Sequence, residues 1–214
     1  MSSRTPRRWR SSVQAPRAIC LLVGVFIVAC GHPAALPFYQ TPEMTAEWLT
    51  ESAPTHHVAP FRLHDQRDNV ITNGAFANRV TIVHFFFTRC GDVCPTTTAN
   101  IARTLRGIDD ARLQVLSHSV TPDADSVGAL RRYAEMHSIV DPRWHLVTGA
   151  DVEALARTSY FVRLGRDSTY GVASIAHTES VLLVDGEGRL RGVYAGTLAL
   201  EMDRLREEVK VLLE

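Results

Sequence analysis

The stretch His84 to Thr97, HFFFTRCGDVCPTT, holds two cysteines, Cys90 and Cys94, with three residues between them. Two thiols at this spacing can form a disulfide, exchange one with a partner, or hold a soft metal ion as thiolates. Pro95 stands where the first turn of a helix tolerates proline, so a helix is expected to start at or beside Cys94. The positive end of its peptide dipoles and the formal charge of Arg89 both favour thiolate. Ionised sulfur serves redox exchange and metal binding equally, so ionisation by itself does not choose between them.

The remaining cysteines narrow the choice. Arg4, Arg7, Arg8, Arg10 and Arg17 precede an uncharged run from Ala18 to Ala29, AICLLVGVFIVA. A helix that crosses the roughly 30 Å hydrocarbon core needs about 20 apolar residues, so this shorter run reads as an export signal. Its end, IVACG, resembles a bacterial lipobox, which makes Cys30 the expected lipidation site and residues 1–29 a lipoprotein signal peptide. Cys20 would leave with that signal. Two or more acyl chains on Cys30 would hold the protein stably on a membrane. Residues 30–60, with Pro33, Pro37, Pro42, Pro54 and Pro60, then read as a lipid-anchored tether, and 61–214 as the folded domain. The expected location is the bacterial cell envelope, at the periplasmic face of the cytoplasmic membrane. Cys90 and Cys94 are left as the thiol pair of an oxidising compartment.

Lys+Arg and Asp+Glu balance at 23 each, which gives no general pull toward nucleic acid, and 45% hydrophobic residues can supply a core. FRLHDQRDNVIT predicts a hairpin, and RVTIVHFFF a strand covered on both faces. After the cysteines, Ile101, Leu105 and Ile108 recur at helical spacing. RLQVLSHSV predicts a strand, and PDADSVGALRRYAEMHS a helix capped by Asp125 or Ser126. RWHLVTG and DVEALARTSYF continue the alternation. ESVLLVDGEGRLRGVYAG predicts a second hairpin, followed by a closing helix with Leu198, Met202, Leu205, Val209 and Leu212 on its packed face. Alternating βα units, then a hairpin and a helix, give an α/β fold: a thioredoxin-like mixed sheet flanked by helices, with an N-terminal β-hairpin. In that arrangement a cysteine pair between the first central strand and its helix stands where chemistry occurs.

Thioredoxin-type oxidoreductases use CxxC and keep a cis-proline opposite it, whereas this chain has CxxxC and no proline after Pro142. SIAHTESV stands in that region, so His177 is the expected third ligand. Two soft thiolates and an imidazole suit copper, Cu(I) above all; zinc is the rival and would want a fourth ligand. Deprotonating both thiols at pH 7 costs about 4 kcal/mol, and thiolate sites return about 10–16 kcal/mol on binding zinc. His118, near the end of its strand, is the second candidate for the third ligand. His84 reads as structural, His137 and His145 as ordinary polar positions, and His56 and His57 as solvated tether residues.

FFFTRCGDVCPTT, with FRLHDQ, SVTPDADSVGALRRYAE, WHLVTG and AHTESVLLVDGEGRL in this order, resembles the Sco (SenC) proteins of cytochrome oxidase assembly over roughly Phe61 to Thr197. The resemblance implies a membrane-tethered copper chaperone that binds Cu(I), and Cu(II) in addition, and serves the binuclear copper site of cytochrome c oxidase subunit II or another copper acceptor. It implies Cys90 and Cys94 as thiolate ligands and as a redox-active pair reduced by a thioredoxin-like partner, with His177 as the imidazole ligand. The chain departs from the family pattern at Gly91, where proline is usual, at Thr121, where an acidic residue is usual, and at Ala176, where Asp often stands. A periplasmic thiol-disulfide oxidoreductase is the alternative, and an inert structural disulfide the third reading.

Overall fold

Val80–Phe86 is buried along its whole length in the computed structural model, which describes residues 35–50, 53–91, 93–162, 164 and 179–214. The run is rich in β-branched and aromatic residues, which pack well on a pleated surface with no solvent face. It forms β3, flanked by β1 (Arg62–Asp65), β2 (Val70–Thr72) and a 3₁₀ turn (Asn73–Phe76) before it. After it come α1 (Val93–Arg106), β4 (Leu113–Ser119), α2 (Val127–Met136), β5 (Trp144–Thr148), α3 (Val152–Thr158), β6 (Ser180–Val184), β7 (Leu190–Ala195) and α4 (Ala199–Leu213). The seven strands make one sheet in the order β2-β1-β5-β4-β3-β6-β7. β3, β4 and β5 are parallel, while β1, β2, β6 and β7 join antiparallel to their neighbours. The expected element order and both hairpins are present.

Alternate residues of the central strands feed two cores. On one face Ile82, Phe86, Val115 and Leu146 pack with Ile101 and Leu105 of α1, Leu130 and Tyr133 of α2, and Met202, Leu205 and Val209 of α4. On the other, Val83, Phe85, Leu116 and Val147 pack with Phe61, Phe76, Tyr160, and Val152 and Leu155 of α3. The buried positions of α4 are Met202, Leu205, Val209 and Leu213. Leu198 is exposed, Leu212 is partly buried and packs against the core as expected, and Leu213 joins the fully packed positions.

Side chains complete the backbone pairing where strands run out. β1 pairs with β5 only through His64 with Thr148 and Asp65 with Val147. Beyond that point the Gln66 carboxamide accepts from the Leu146 N–H at 2.8 Å and donates to the Trp144 carbonyl at 2.9 Å. In the β6–β7 hairpin, the Asp185 carboxylate accepts from the N–H groups of Glu187 and Arg189, each at 3.0 Å, and Gly188 takes φ 79°, a conformation that favours glycine.

Several of the described residues that precede Phe61 pack onto the folded domain. Leu36, Phe38 and Val58 are buried. Arg191 donates to the carbonyls of Leu36 at 2.6 Å and Pro37 at 3.1 Å, and its guanidinium lies 4.0 Å from the centre of the Phe38 ring. The Asp185 carboxylate receives Arg189 at 2.8 Å and Arg191 at 3.0 Å, so these buried charges are paired. His56 and His57 are not simply solvated. His56 Nε2 is 2.8 Å from the Ser159 carbonyl and its ring lies tilted against Phe161 with centroids 4.5 Å apart, while His57 Nδ1 is 2.9 Å from the Glu187 carbonyl. Among the described residues no helix is long and apolar enough to cross a membrane; the run 18–29 and Cys30 lie outside them.

His84 and His118 sit on adjacent strands, both fully buried, with their Nε2 atoms unpartnered. Burial pushes His84 down to about 3, with the neighbouring His118 adding repulsion, and burial pushes His118 down to about 4. Both imidazoles are therefore neutral when folded, whereas an unfolded chain protonates them below about pH 6.5. The stability that depends on their neutrality is complete above that pH and is lost as pH falls toward the folded values. Urea denaturation should show a loss of about 1.4 kcal/mol per pH unit for each histidine between roughly pH 6.5 and 4. His118→Phe, placed among Phe61, Phe85 and Tyr160, should remove about half of that slope; an unchanged slope would contradict the assignment.

Candidate metal and redox centre

The end of β3 delivers the cysteines to the carboxyl edge of the parallel strands, where open α/β sheets place their sites. Past Phe86 the chain turns, with Cys90 N–H donating to the Phe87 carbonyl at 3.1 Å. α1 begins at Val93, so Cys94 and Pro95 fall in its first turn as expected. Cys90 and Cys94 form a disulfide with Cα atoms 5.9 Å apart, inside the usual range. Cys94 is buried against the core under α1, whereas Cys90 is only partly buried and Arg89 is exposed. A partner's thiolate or an ion reaches Cys90 more readily.

Contacts from three places fix the loop and the helix start. Val120 N–H donates to the Phe86 carbonyl at 2.9 Å, which joins the ends of β3 and β4. Asp125, 1% exposed, accepts from Thr88 N–H at 3.0 Å, Thr88 Oγ1 at 2.5 Å, Ser119 Oγ at 2.6 Å and Thr121 Oγ1 at 2.9 Å. The helix cap of α2 falls to Ser126, whose side chain accepts from Ala129 N–H at 3.4 Å, and not to Asp125. Thr121, where an acidic residue was expected from the family pattern, is a donor to this carboxylate. On the other side of the helix, Asn100 Nδ2 donates to the Gly196 carbonyl at 2.8 Å.

His118 does not meet the cysteines. Its side chain points to the face of Phe61, Phe85 and Tyr160, with ring centres 6.3, 5.1 and 5.4 Å away, whereas Cys94 belongs to the opposite core. Strand alternation explains this, since Ser117 and Ser119 take the cysteine side of β4. His84 is structural, with Nδ1 3.0 Å from Ser117 Oγ, which also accepts from Trp144 Nε1 at 2.8 Å. His145 is more than an ordinary polar residue, because its Nδ1 lies 2.9 Å from the buried Asp65 carboxylate. Desolvation lowers the His145 pKa against the opposing pull of Asp65. His177 lies outside the described residues. Among the described residues no group of three or more His, Cys, Asp or Glu side chains is placed to hold an ion.

A family model described as SCO1/SenC matches residues 50–214. The chain belongs to the SCO1/SenC family. The SCO1 protein homolog of Bacillus subtilis is 23% identical over 160 residues, which covers 72% of this chain and 82% of that protein. The copper-bound structure of Bradyrhizobium japonicum ScoI shares 26% identity at a TM-score of 0.62 and covers 73% of this Sco chain and 99% of its own. BsSco, a Sco family member of cytochrome c oxidase assembly studied for a disulfide switch, has a TM-score of 0.64 at 22% identity, covering 78% of this chain and 98% of its own. The mixed sheet with its flanking helices is thus the thioredoxin-like fold of the Sco proteins.

Two glycines bear on the centre in opposite ways. A Cβ at Gly196 would stand 2.7 Å from Thr97 Cγ2, 2.7 Å from Val181 Cγ2 and 2.8 Å from the Glu179 carbonyl. Gly196→Ala should therefore displace the first turn of α1 and cost about 1–3 kcal/mol in chemical denaturation. Among the described residues, a Cβ at Gly91 would meet nothing within 4 Å. Gly91→Ala should raise stability by about 0.4–1 kcal/mol by restricting the unfolded chain, and a loss would show that the loop needs glycine.

Proposed function

We propose that this Sco protein is a copper-binding chaperone of cytochrome c oxidase assembly, anchored to the periplasmic face of the cytoplasmic membrane through a lipidated Cys30. In this reading residues 1–29 are the signal peptide and the domain hands copper to the binuclear copper site of subunit II or to another copper acceptor. The observation that carries the proposal is the cysteine pair at the carboxyl edge of the sheet, with Cα atoms 5.9 Å apart at the start of α1. Once reduced, two sulfurs on so short a loop can face one small ion, and soft thiolates select Cu(I). His177, two residues before Glu179, supplies the imidazole that completes a low-coordinate set. Support comes from the family match and from the copper bound in the Bradyrhizobium japonicum relative.

The disulfide between Cys90 and Cys94 supports a second reading, a periplasmic thiol-disulfide oxidoreductase that reduces partner cysteines and is itself recharged by a thioredoxin-like protein. The two readings share one pair and differ in whether metal or a mixed disulfide is the working state. Anaerobic titration of the reduced domain with Cu(I) should give one-to-one binding that Cys90→Ser abolishes. His177→Ala should weaken it by at least the roughly 10–100-fold that loss of an outer partner of a metal ligand costs. Unchanged affinity in His177→Ala would remove the histidine from the site. A Cys94→Ser protein that traps partner proteins as mixed disulfides, with no copper bound by the wild type, would favour the oxidoreductase.

A further inference from the structure

Asp125 was expected only as a helix cap, yet it is buried and makes none of that contact. Its carboxylate receives two hydrogen bonds from Thr88, two residues before Cys90, one from Ser119 at the end of β4 and one from Thr121 in the β4–α2 connection. Ser119 Oγ also accepts from Thr121 N–H at 3.4 Å, and Thr121 O accepts from the N–H groups of Ala124 and Asp125 at 2.9 and 2.8 Å. The carboxylate thus sits on a closed turn that cannot shift without breaking its own bonds. Thr88 is the part of this network that belongs to the cysteine loop. Gly91 on the same loop is exposed, and among the described residues a Cβ there would meet nothing within 4 Å.

We propose that Asp125 is the positioning residue of the thiol pair. By clamping Thr88 it holds Cys90 within reach of Cys94 and so raises the effective concentration of one sulfur at the other, which favours the disulfide. The inference rests on the reading of Cys90 and Cys94 as the working centre. Reduction by a dithiol breaks the Sγ–Sγ bond and places two electrons and two protons on the two sulfurs, while the dithiol closes to its own disulfide. A looser loop leaves the two-thiol form unaffected and penalises ring closure.

The test is the equilibrium constant for this exchange, measured in dithiothreitol redox buffers on the folded protein. Asp125→Ala should make the disulfide about tenfold easier to reduce, which is roughly 30 mV more positive. Asp125→Asn, which keeps an acceptor for Thr88 N–H but presents an amide to the hydroxyls, should recover part of that change. Thr88→Val removes one donor and keeps the carboxylate, and should shift the equilibrium about threefold in the same direction even if Asp125→Ala does not fold. Ser126→Ala, which loses the α2 cap, should lower the unfolding midpoint and leave the thiol equilibrium in place. Equilibria within twofold of wild type in folded Thr88→Val and Asp125→Asn would overturn the role of Asp125. Copper stoichiometry is a separate reading on the same samples, so failure of the metal assignment leaves this outcome distinct.

Discussion

β3 is buried on both faces and hydrogen-bonded along both edges, to β4 in parallel and to β6 antiparallel. A strand so constrained has one register, because a slip of one residue would exchange the side chains of the two cores. Everything that follows Phe86 inherits that precision. The turn that carries Thr88 to Cys90 leaves from a fixed point, and α1 returns to a sheet whose position is already set.

The centre is then assembled from contacts on three sides of the helix start. The buried Asp125 carboxylate grips the loop from the β4–α2 side, Asn100 ties α1 to the Gly196 carbonyl, and the absence of a side chain at Gly196 lets Thr97 and Val181 close over it. Cys94 is part of the core, while Cys90 reaches the surface. One sulfur is held and the other is offered, an asymmetry that suits exchange with a partner or transfer of an ion equally well. Both proposed functions draw on the same geometry, which is why the identity of the third donor matters more than the disulfide in choosing between them.

The strands and helices were legible because their signals are local. β-branched and aromatic runs marked β3 and β6, DGEG marked the β6–β7 turn, and Pro95 marked the start of α1. What escaped the sequence is non-local. Asp125 looks like a helix cap because Asp and Ser are both common there, and only the tertiary structure shows that Ser126 takes the cap while Asp125 turns toward Thr88. Gln66 is an ordinary turn residue until β5 is placed beside it. His56 and Phe38 read as parts of a proline-rich linker, since a segment anchored by the carbonyl contacts of Arg191 and a ring contact with Phe161 carries no periodicity of its own. His118 stood near a strand end as a ligand would, but the two-residue alternation of β4 sends it to the far core.

The central claim is a copper centre of two thiolates and one imidazole on a rigid sheet edge. X-ray absorption fine structure of the reduced protein loaded with one equivalent of Cu(I) tests it most directly. Two sulfur neighbours and one nitrogen neighbour per copper, with the nitrogen lost in His177→Ala, are the predicted result. A shell of sulfur alone, identical in the wild type and in His177→Ala, would contradict it.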